Sequence, residues 1–337
     1  MTGHVQTVCG PVSPARIGAT LMHEHLGALQ PGKWAFGGTC DGTVEAAQRA
    51  LVRLPEFGIQ TIVDLTTVEG RAGSGRDVVS LRDISERTGF HIVAASAFYK
   101  DPYYPDWVLE ADIDALAEFH VREAREGIDG TGVKAGMYGE VGSSLHRITP
   151  NEEKAFRAIA RAHRATGLAI STHCTLGTMA LEQIAIFKDE GVDLERVVIG
   201  HLDLSPDPEY LAAVLASGVT IGFDTIGKEW FDYTVPNSEE AGEGAYVKWA
   251  YYRGDEQRLH ALDWLVQHGY AGQVILSLDL TGYETYLNRS TIGAWGYSYL
   301  HHTFLPALCA RGVSDDAIQQ MMTENPKRIL SIAEGGS

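Results

Sequence analysis

Eight times along the chain a short apolar segment rich in β-branched residues gives way to a stretch of helical periodicity, and this alternation constrains the fold more than any other feature. The strand segments are 20–25, 61–67, 91–99, 133–141, 168–173, 196–201, 219–225 and 274–280, with amphipathic stretches such as 45–57, 112–126, 152–166 and 181–190 between them. Strand-length apolar runs separated by helices are the pattern of parallel βαβ units. Glycine marks the junctions: Gly58, Gly89, Gly127, Gly167, Gly191, Gly218 and Gly269 each stand just before a strand, and Gly312 before the last helix. Glycine accepts the left-handed conformation that ends a helix and turns the chain back. Eight such units close into a barrel more naturally than they lie in an open sheet. The expected fold is therefore α/β, a (β/α)8 TIM barrel occupying 1–337 as one domain, with 1–18 as an N-terminal extension.

Three connections are longer than a barrel requires: 26–42, 226–254 and 281–299. All leave the C-terminal ends of strands, where barrel enzymes build their sites. They carry Trp34, Trp230, Trp249, Tyr283 and Trp295 among other aromatic residues, so they read either as lids and binding walls or as cement for loops and a dimer contact.

Composition excludes several classes. A formal net charge of −17 repels phosphate backbones, and no basic stretch offsets it, so nucleic acid is not an expected partner. No apolar run reaches the roughly eighteen residues of a membrane helix. Residues 1–12 show no basic start followed by an apolar stretch, so no secretory signal is visible. Cys9, Cys40, Cys174 and Cys309 lie far apart without CxxC spacing, which fits a reducing cytoplasm better than a disulfide framework.

The strongest local signal is His23-Glu24-His25 at the end of the first strand segment, because residues two apart on a strand point the same way. His173 in AISTHC, His201 in VVIGHLD, Asp279 in VILSLDL and Glu140 in MYGEVG close other strand segments. A lone histidine at a strand end is more often a hydrogen-bonded core residue than a ligand. Here four histidines and two carboxylates fall at strand C-termini, and those termini share one face of a barrel. Imidazole and carboxylate donors suit zinc, manganese or cobalt.

With TLMHEHL, GIDGTGVKAGMYGEVG, ISTHC, VIGHLDL, FDTIGK and LSLDLT in this order, the chain resembles the phosphotriesterase family of the amidohydrolase superfamily, nearest in pattern to its homology-protein branch. The resemblance runs from about Gly10 to ENPKRIL near the C-terminus. It implies two divalent metal ions per chain, zinc first among candidates with manganese or cobalt as alternatives. His23, His25 and Asp279 would hold one and His173 and His201 the other. A side chain of the fourth strand would bridge them. Where phosphotriesterases bridge with a carboxylated lysine, this chain offers Glu140; Lys134, the only lysine nearby, belongs toward the bottom of the barrel.

Two ions about 3.5–4 Å apart can share a water and bring its pKa toward neutrality. The expected reaction is attack by that bridging hydroxide on a small carbonyl substrate, a lactone or carboxyl ester, with phosphotriester hydrolysis at most a side activity. Asp279 would accept a proton and pass it to the leaving group. Tyr99 matches an aromatic wall of lactone-cleaving relatives, and Lys228 is either an anchor for an anionic substrate group or a solvated loop residue. Trp230 and Tyr283 are further substrate contacts. Arg71, Arg76 and Arg289 are rim candidates for an anion, with solvated surface the blander reading. Cys174 belongs to the core. The rivals are an amide hydrolase acting on N-acylated small molecules and a TatD-like metal-dependent nuclease; the resemblance also suggests a homodimer.

Overall fold

The computed structural model describes residues 3–26, 43–68, 76–228, 254–280 and 296–333. After a hairpin of β1 (Gly3–Thr7) and β2 (Gly10–Val12), each expected segment contributes one strand to a single sheet. These are β3 (Ala19–Glu24), β4 (Ile59–Asp64), β5 (His91–Ser96), β6 (Met137–Ser143), β7 (Ile170–Cys174), β8 (Val197–Gly200), β9 (Thr220–Phe223) and β10 (Val274–Leu276). They pair in chain order and all in parallel. Around them lie α1 (Thr43–Leu51), α2 (Val78–Thr88), α3 (Asp106–Glu110), α4 (Ile113–Arg125), α5 (Pro150–Thr166), α6 (Ala180–Asp189), α7 (Pro208–Leu215) and α8 (Asp255–Gln267). The termini of α5 show the local logic. Thr149 and Glu152 form a reciprocal capping box, and Gly167 ends the helix at φ 73°.

The seam between β10 and β3 is closed by individual bonds rather than a regular ladder. Asp279 N donates to His23 O (3.1 Å) and His25 N to Leu280 O (3.0 Å). Between these two histidines Glu24 turns to the seam, and its carboxylate accepts from Ser277 Oγ (2.7 Å), Leu278 N (2.9 Å) and Leu280 N (2.8 Å). Burial outweighs those three donors and pushes Glu24 up to about 8. The result is a nearly closed (β/α)8 barrel.

Two apolar layers form the core. Met22, Val63, Val93, Met137, Val198 and Ile275 fill the barrel interior together with Val5, Ile329 and Leu330. Leu21, Ile62, Ile92, Tyr138, Ile170, Cys174 and Ile199 face outward and pack in the larger cluster with the helices. The hairpin covers the N-terminal ends of the strands. Val8 N donates to Ile92 O at the start of β5 (2.8 Å), and a Cβ on Gly136 would stand 2.3 Å from Gln6 O. The last strand among the described residues, β11 (Ile332–Ala333), pairs antiparallel with β1 under the barrel.

Three expectations need correction. The fourth strand begins at Met137, not at 133: Ala135 N is taken by Glu123 O of α4, and bonding to β5 starts only with Gly136 N, which donates to Ala94 O. The eighth ends its ladder at Leu276, so Asp279 lies beyond the strand with φ 52°. Arg76 is neither a rim contact nor solvated: it is buried, forms two bonds with Glu123 (2.9 and 2.8 Å) and a third with Asp129 (2.7 Å). A buried guanidinium needs such partners. Arg71, Arg289, Trp230 and Tyr283, and most of the three long connections, lie outside the described residues. Among the described residues no helix is long and apolar enough to cross a membrane.

Candidate metal centre

Six side chains from five strand ends converge at the C-terminal mouth of the barrel. Glu140 is central: its Oε2 stands 3.0 Å from His173 Nδ1 and 3.3 Å from both His201 Nε2 and His23 Nε2. Its Oε1 faces His25 Nε2 at 3.8 Å. Asp279 Oδ1 lies 3.1 Å from His25 Nε2 and 3.7 Å from His23 Nε2. Two three-residue groups with metal-ligand spacing result, His23–His25–Glu140 and Glu140–His173–His201, and Glu140 belongs to both. Lys134 is exposed at the opposite end of β6 and takes no part.

Simple strand alternation does not produce this arrangement. Met22 faces the barrel interior, so its neighbour His23 should face away; a register shift between Leu21 and Glu24 re-aims it. A second shift, between Tyr138 and Val141, brings Glu140 inward. His201 and Asp279 both adopt positive φ, 61° and 52°, a conformation that non-glycine residues hold at some energetic cost and that clusters at functional sites.

The outer nitrogens of the histidines determine what the inner ones offer. Asp224 accepts from His23 Nδ1 through Oδ2 (3.0 Å) and from His201 Nδ1 through Oδ1 (2.8 Å). Both rings therefore carry a proton on Nδ1, and in the neutral ring Nε2 is the bare nitrogen turned to the centre. His25 Nδ1 meets Thr66 Oγ1 at 3.1 Å, and its Nε2 also points inward. Asp224 lies within reach of His23 and His201 as a third group, but it sits on their outer edges and orients them. The buried His23 Nε2 has no hydrogen-bond partner, and His201 Nε2 stands only 2.8 Å from His173 Nδ1. Bare nitrogens and carboxylate oxygens packed this closely repel unless a cation lies among them, so the donor set fits divalent metal.

The electrostatics agree. Burial lowers the proton affinity of His23, but the Asp224 and Glu140 carboxylates more than reverse this and hold it well above the ordinary imidazole value. Burial raises Glu140, yet His173, His201 and His23 hold it well below the usual carboxylate range. Asp224 is depressed in the same way by His201 and His23 against its burial. A field that keeps protons on imidazoles also attracts metal cations.

Lys228 is 3% exposed and donates to Asp279 Oδ2 at 2.5 Å, so the solvated reading of this lysine is wrong. The segment that carries it and Asp224 is braced by a buried network. Arg258 donates to Asp203 (2.6 Å), Asp255 (2.7 Å) and Thr225 (3.0 Å), and Asp255 also accepts from Gly227 N (3.1 Å) and Tyr299 Oη (2.8 Å). Tyr99 is buried beside His173, its hydroxyl 3.4 and 3.2 Å from the two ring nitrogens. Cys174 points away into the outer core, as its alternation with His173 requires.

Sequence reasoning did not assign Asp224, Thr66 or Glu24 a role. Asp224 was findable, since it follows β9 as Asp279 follows β10, a carboxylate at a strand's C-terminal end. Gly222 was its companion signal: a Cβ there would stand 2.2 Å from Asp224 Oδ2.

Comparison with known proteins agrees with this geometry. The model of the phosphotriesterase family matches residues 3–330. The phosphotriesterase homology protein of Escherichia coli (strain K12) is 34% identical over 316 residues, covering 93% of this chain and 98% of that protein. The N-acetyltaurine hydrolase of Dictyostelium discoideum is 34% identical over 291 residues, covering 86% of this chain and 74% of that one. A crystal structure of a mutant PTE-like lactonase from Deinococcus radiodurans superposes with a TM-score of 0.79 at 30% identity, covering 97% of this chain and 99% of the other. A barrel of this topology, with these residues at its mouth and this match over almost its whole length, belongs to the phosphotriesterase family and is a metal-dependent hydrolase.

Proposed function

We propose that the centre holds two divalent cations, zinc by preference, and that the chain hydrolyses a small carbonyl substrate, a lactone or carboxyl ester. The observation that carries this reading is the sharing of Glu140 between two ligand groups. His23, His25 and Asp279 would hold one ion, His173 and His201 the other, with Glu140 joining them. When bound, such ions polarise the substrate oxygen and make water nucleophilic near neutral pH.

The chain's own residues do the rest. Lys228 occupies Asp279 Oδ2 and leaves Oδ1 turned to the centre, where it can take a proton and hand it to the leaving group. Tyr99 walls the site on the His173 side and excludes water there. Lys228 also supplies the cationic charge that an anionic substrate would meet at this mouth. The substrate is a small molecule rather than nucleic acid, in keeping with the net charge of −17.

The test is metal stoichiometry and a substrate panel on metal-reconstituted protein. Two ions per chain are expected, with lactones or carboxyl esters turned over faster than an aryl dialkyl phosphate, and Glu140→Ala should lose both metal and turnover. A metal-free protein after careful reconstitution defeats the site assignment; the reverse substrate order defeats the substrate assignment. A second reading, amide hydrolysis, is favoured by the 34% identity to a relative named N-acetyltaurine hydrolase. N-acyl amines bearing an anionic group, included in the same panel, decide between the two.

A further inference from the structure

Three of the four histidines turn Nε2 to the centre, whereas His173 turns Nδ1, 3.0 Å from Glu140 Oε2 and 2.8 Å from His201 Nε2. Its outer nitrogen, Nε2, lies 3.2 Å from Thr175 Oγ1. The Tyr99 hydroxyl is nearly equidistant from both ring nitrogens, at 3.4 and 3.2 Å, so it does not lie along the axis of either. A partner in line with Nε2–H would be about 2 Å farther from Nδ1 than from Nε2. Thr175 contacts Nε2 alone among the ring nitrogens.

The valence of the Thr175 hydroxyl then settles the proton's position. A hydroxyl has one hydrogen and two lone pairs. The hydrogen goes to Ser143 O at 2.7 Å, and one lone pair takes a hydrogen from the Lys100 ammonium, also at 2.7 Å. Only an acceptor lone pair remains for His173, so Nε2 must bring the proton, and in the neutral ring that leaves Nδ1 bare. Lys100 occupies a lone pair whichever way the hydrogen turns; it is Ser143 O that holds the hydrogen, because a hydroxyl turned to donate to Nε2 would take this donor from that carbonyl. The lysine is itself held over the Tyr99 ring at 5.5 Å.

We infer that Thr175 is the positioning residue that makes His173 a ligand through Nδ1, and that Ser143 O, by taking the Thr175 hydrogen, fixes the hydroxyl on which this depends. This rests on the reading of the centre as a two-ion site. Besides Asp224, which serves both positions, it gives each its own support: Thr66 behind His25 for one, Thr175 behind His173 for the other.

The experiment measures the two ions separately, by chelator competition in solution and by anomalous-scattering occupancy in crystals equilibrated with limiting zinc. Thr175→Val should weaken the ion at His173 and His201 about tenfold or more. Thr175→Ser should restore it, and Thr66→Val should weaken the other ion instead. Lys100→Met keeps the Thr175 hydroxyl and its Ser143 acceptor and should not reproduce the loss seen with Thr175→Val; a loss as large would show that the lysine carries the effect and would overturn the assignment. At saturating zinc, Thr175→Val should recover most of the wild-type kcat. Equal weakening of both ions, with a lower Tm of the metal-free variant, would show general loosening and overturn the inference. If the wild type binds two ions and Thr175→Val binds both unchanged, this inference fails alone; if the wild type binds none, the proposed function fails first.

Discussion

Asp224 shows how much of a site depends on a residue that need not touch its contents. It accepts one proton from His23 and one from His201, rings that serve different three-residue groups. Asp224→Asn puts an amide NH2 against one of these N–H groups and forces that ring to the wrong tautomer. Metal affinity should fall about 10–100-fold by chelator competition with little change in folding. Gly222→Ala should give the same result by steric means, since its Cβ would overlap the carboxylate. Asp279→Asn should leave metal binding measurable while lowering kcat by about 10²–10⁴, the usual range for loss of a proton-transfer group, read at saturating metal. The six central residues were legible because each closes a strand segment, and barrel topology gathers strand ends. Thr66 and Thr175 were not. A hydroxyl one or two residues beyond a strand has no pattern of its own, and its importance appears only once a ring nitrogen is seen to need a partner.

At the scale of elements, strand order and helix placement followed from periodicity, since all eight segments and their glycine stops reappear. The register shifts in β3 and β6 did not, because a local break in alternation leaves the apolar pattern on either side intact. Arg258 on α8 ties three partners around the segment after β9 and is fully buried. Arg258→Met leaves Asp203 and Asp255 without their cation and should cost about 3–5 kcal/mol in urea unfolding. On α4, His120 is buried against Phe98 and Tyr138 and bonds Ser96 Oγ at 2.8 Å; burial, with help from Arg76, lowers it to about 3 from 6.5. Its folded-state pKa is below the unfolded value, so between these limits the unfolded chain binds the extra proton and stability falls as pH falls. Acidification through that window should cost up to about 1.4 kcal/mol per pH unit from this group. His120→Asn should flatten the pH dependence of the urea midpoint by that share; an unchanged slope would show that His120 is not its source.

Across the whole molecule, β11 and the hairpin form a floor that the sequence left as an undifferentiated extension. The hairpin of β1 and β2 within 1–18 is too short to show a strand pattern, and the other partner of β1, β11, lies more than three hundred residues away. Gly136 permits the close fit of this floor. Gly136→Ala should lift the hairpin and lower stability by about 1–3 kcal/mol, while leaving metal content unchanged because the two ends of the barrel are separate.

The tripeptide His23-Glu24-His25 has a further consequence. Its outer members reach into the mouth while its middle one receives three donors from residues 277–280. That same stretch delivers Asp279, so the cylinder cannot join its first stave to its last without also completing the set of ligands. A chain cut before Val274 would retain five of the six, yet its Glu24 would be an unanswered carboxylate in an apolar wall. Circular closure should therefore coincide with the gain of full cation affinity, and stopped-flow refolding with a metal indicator should find the two at the same rate.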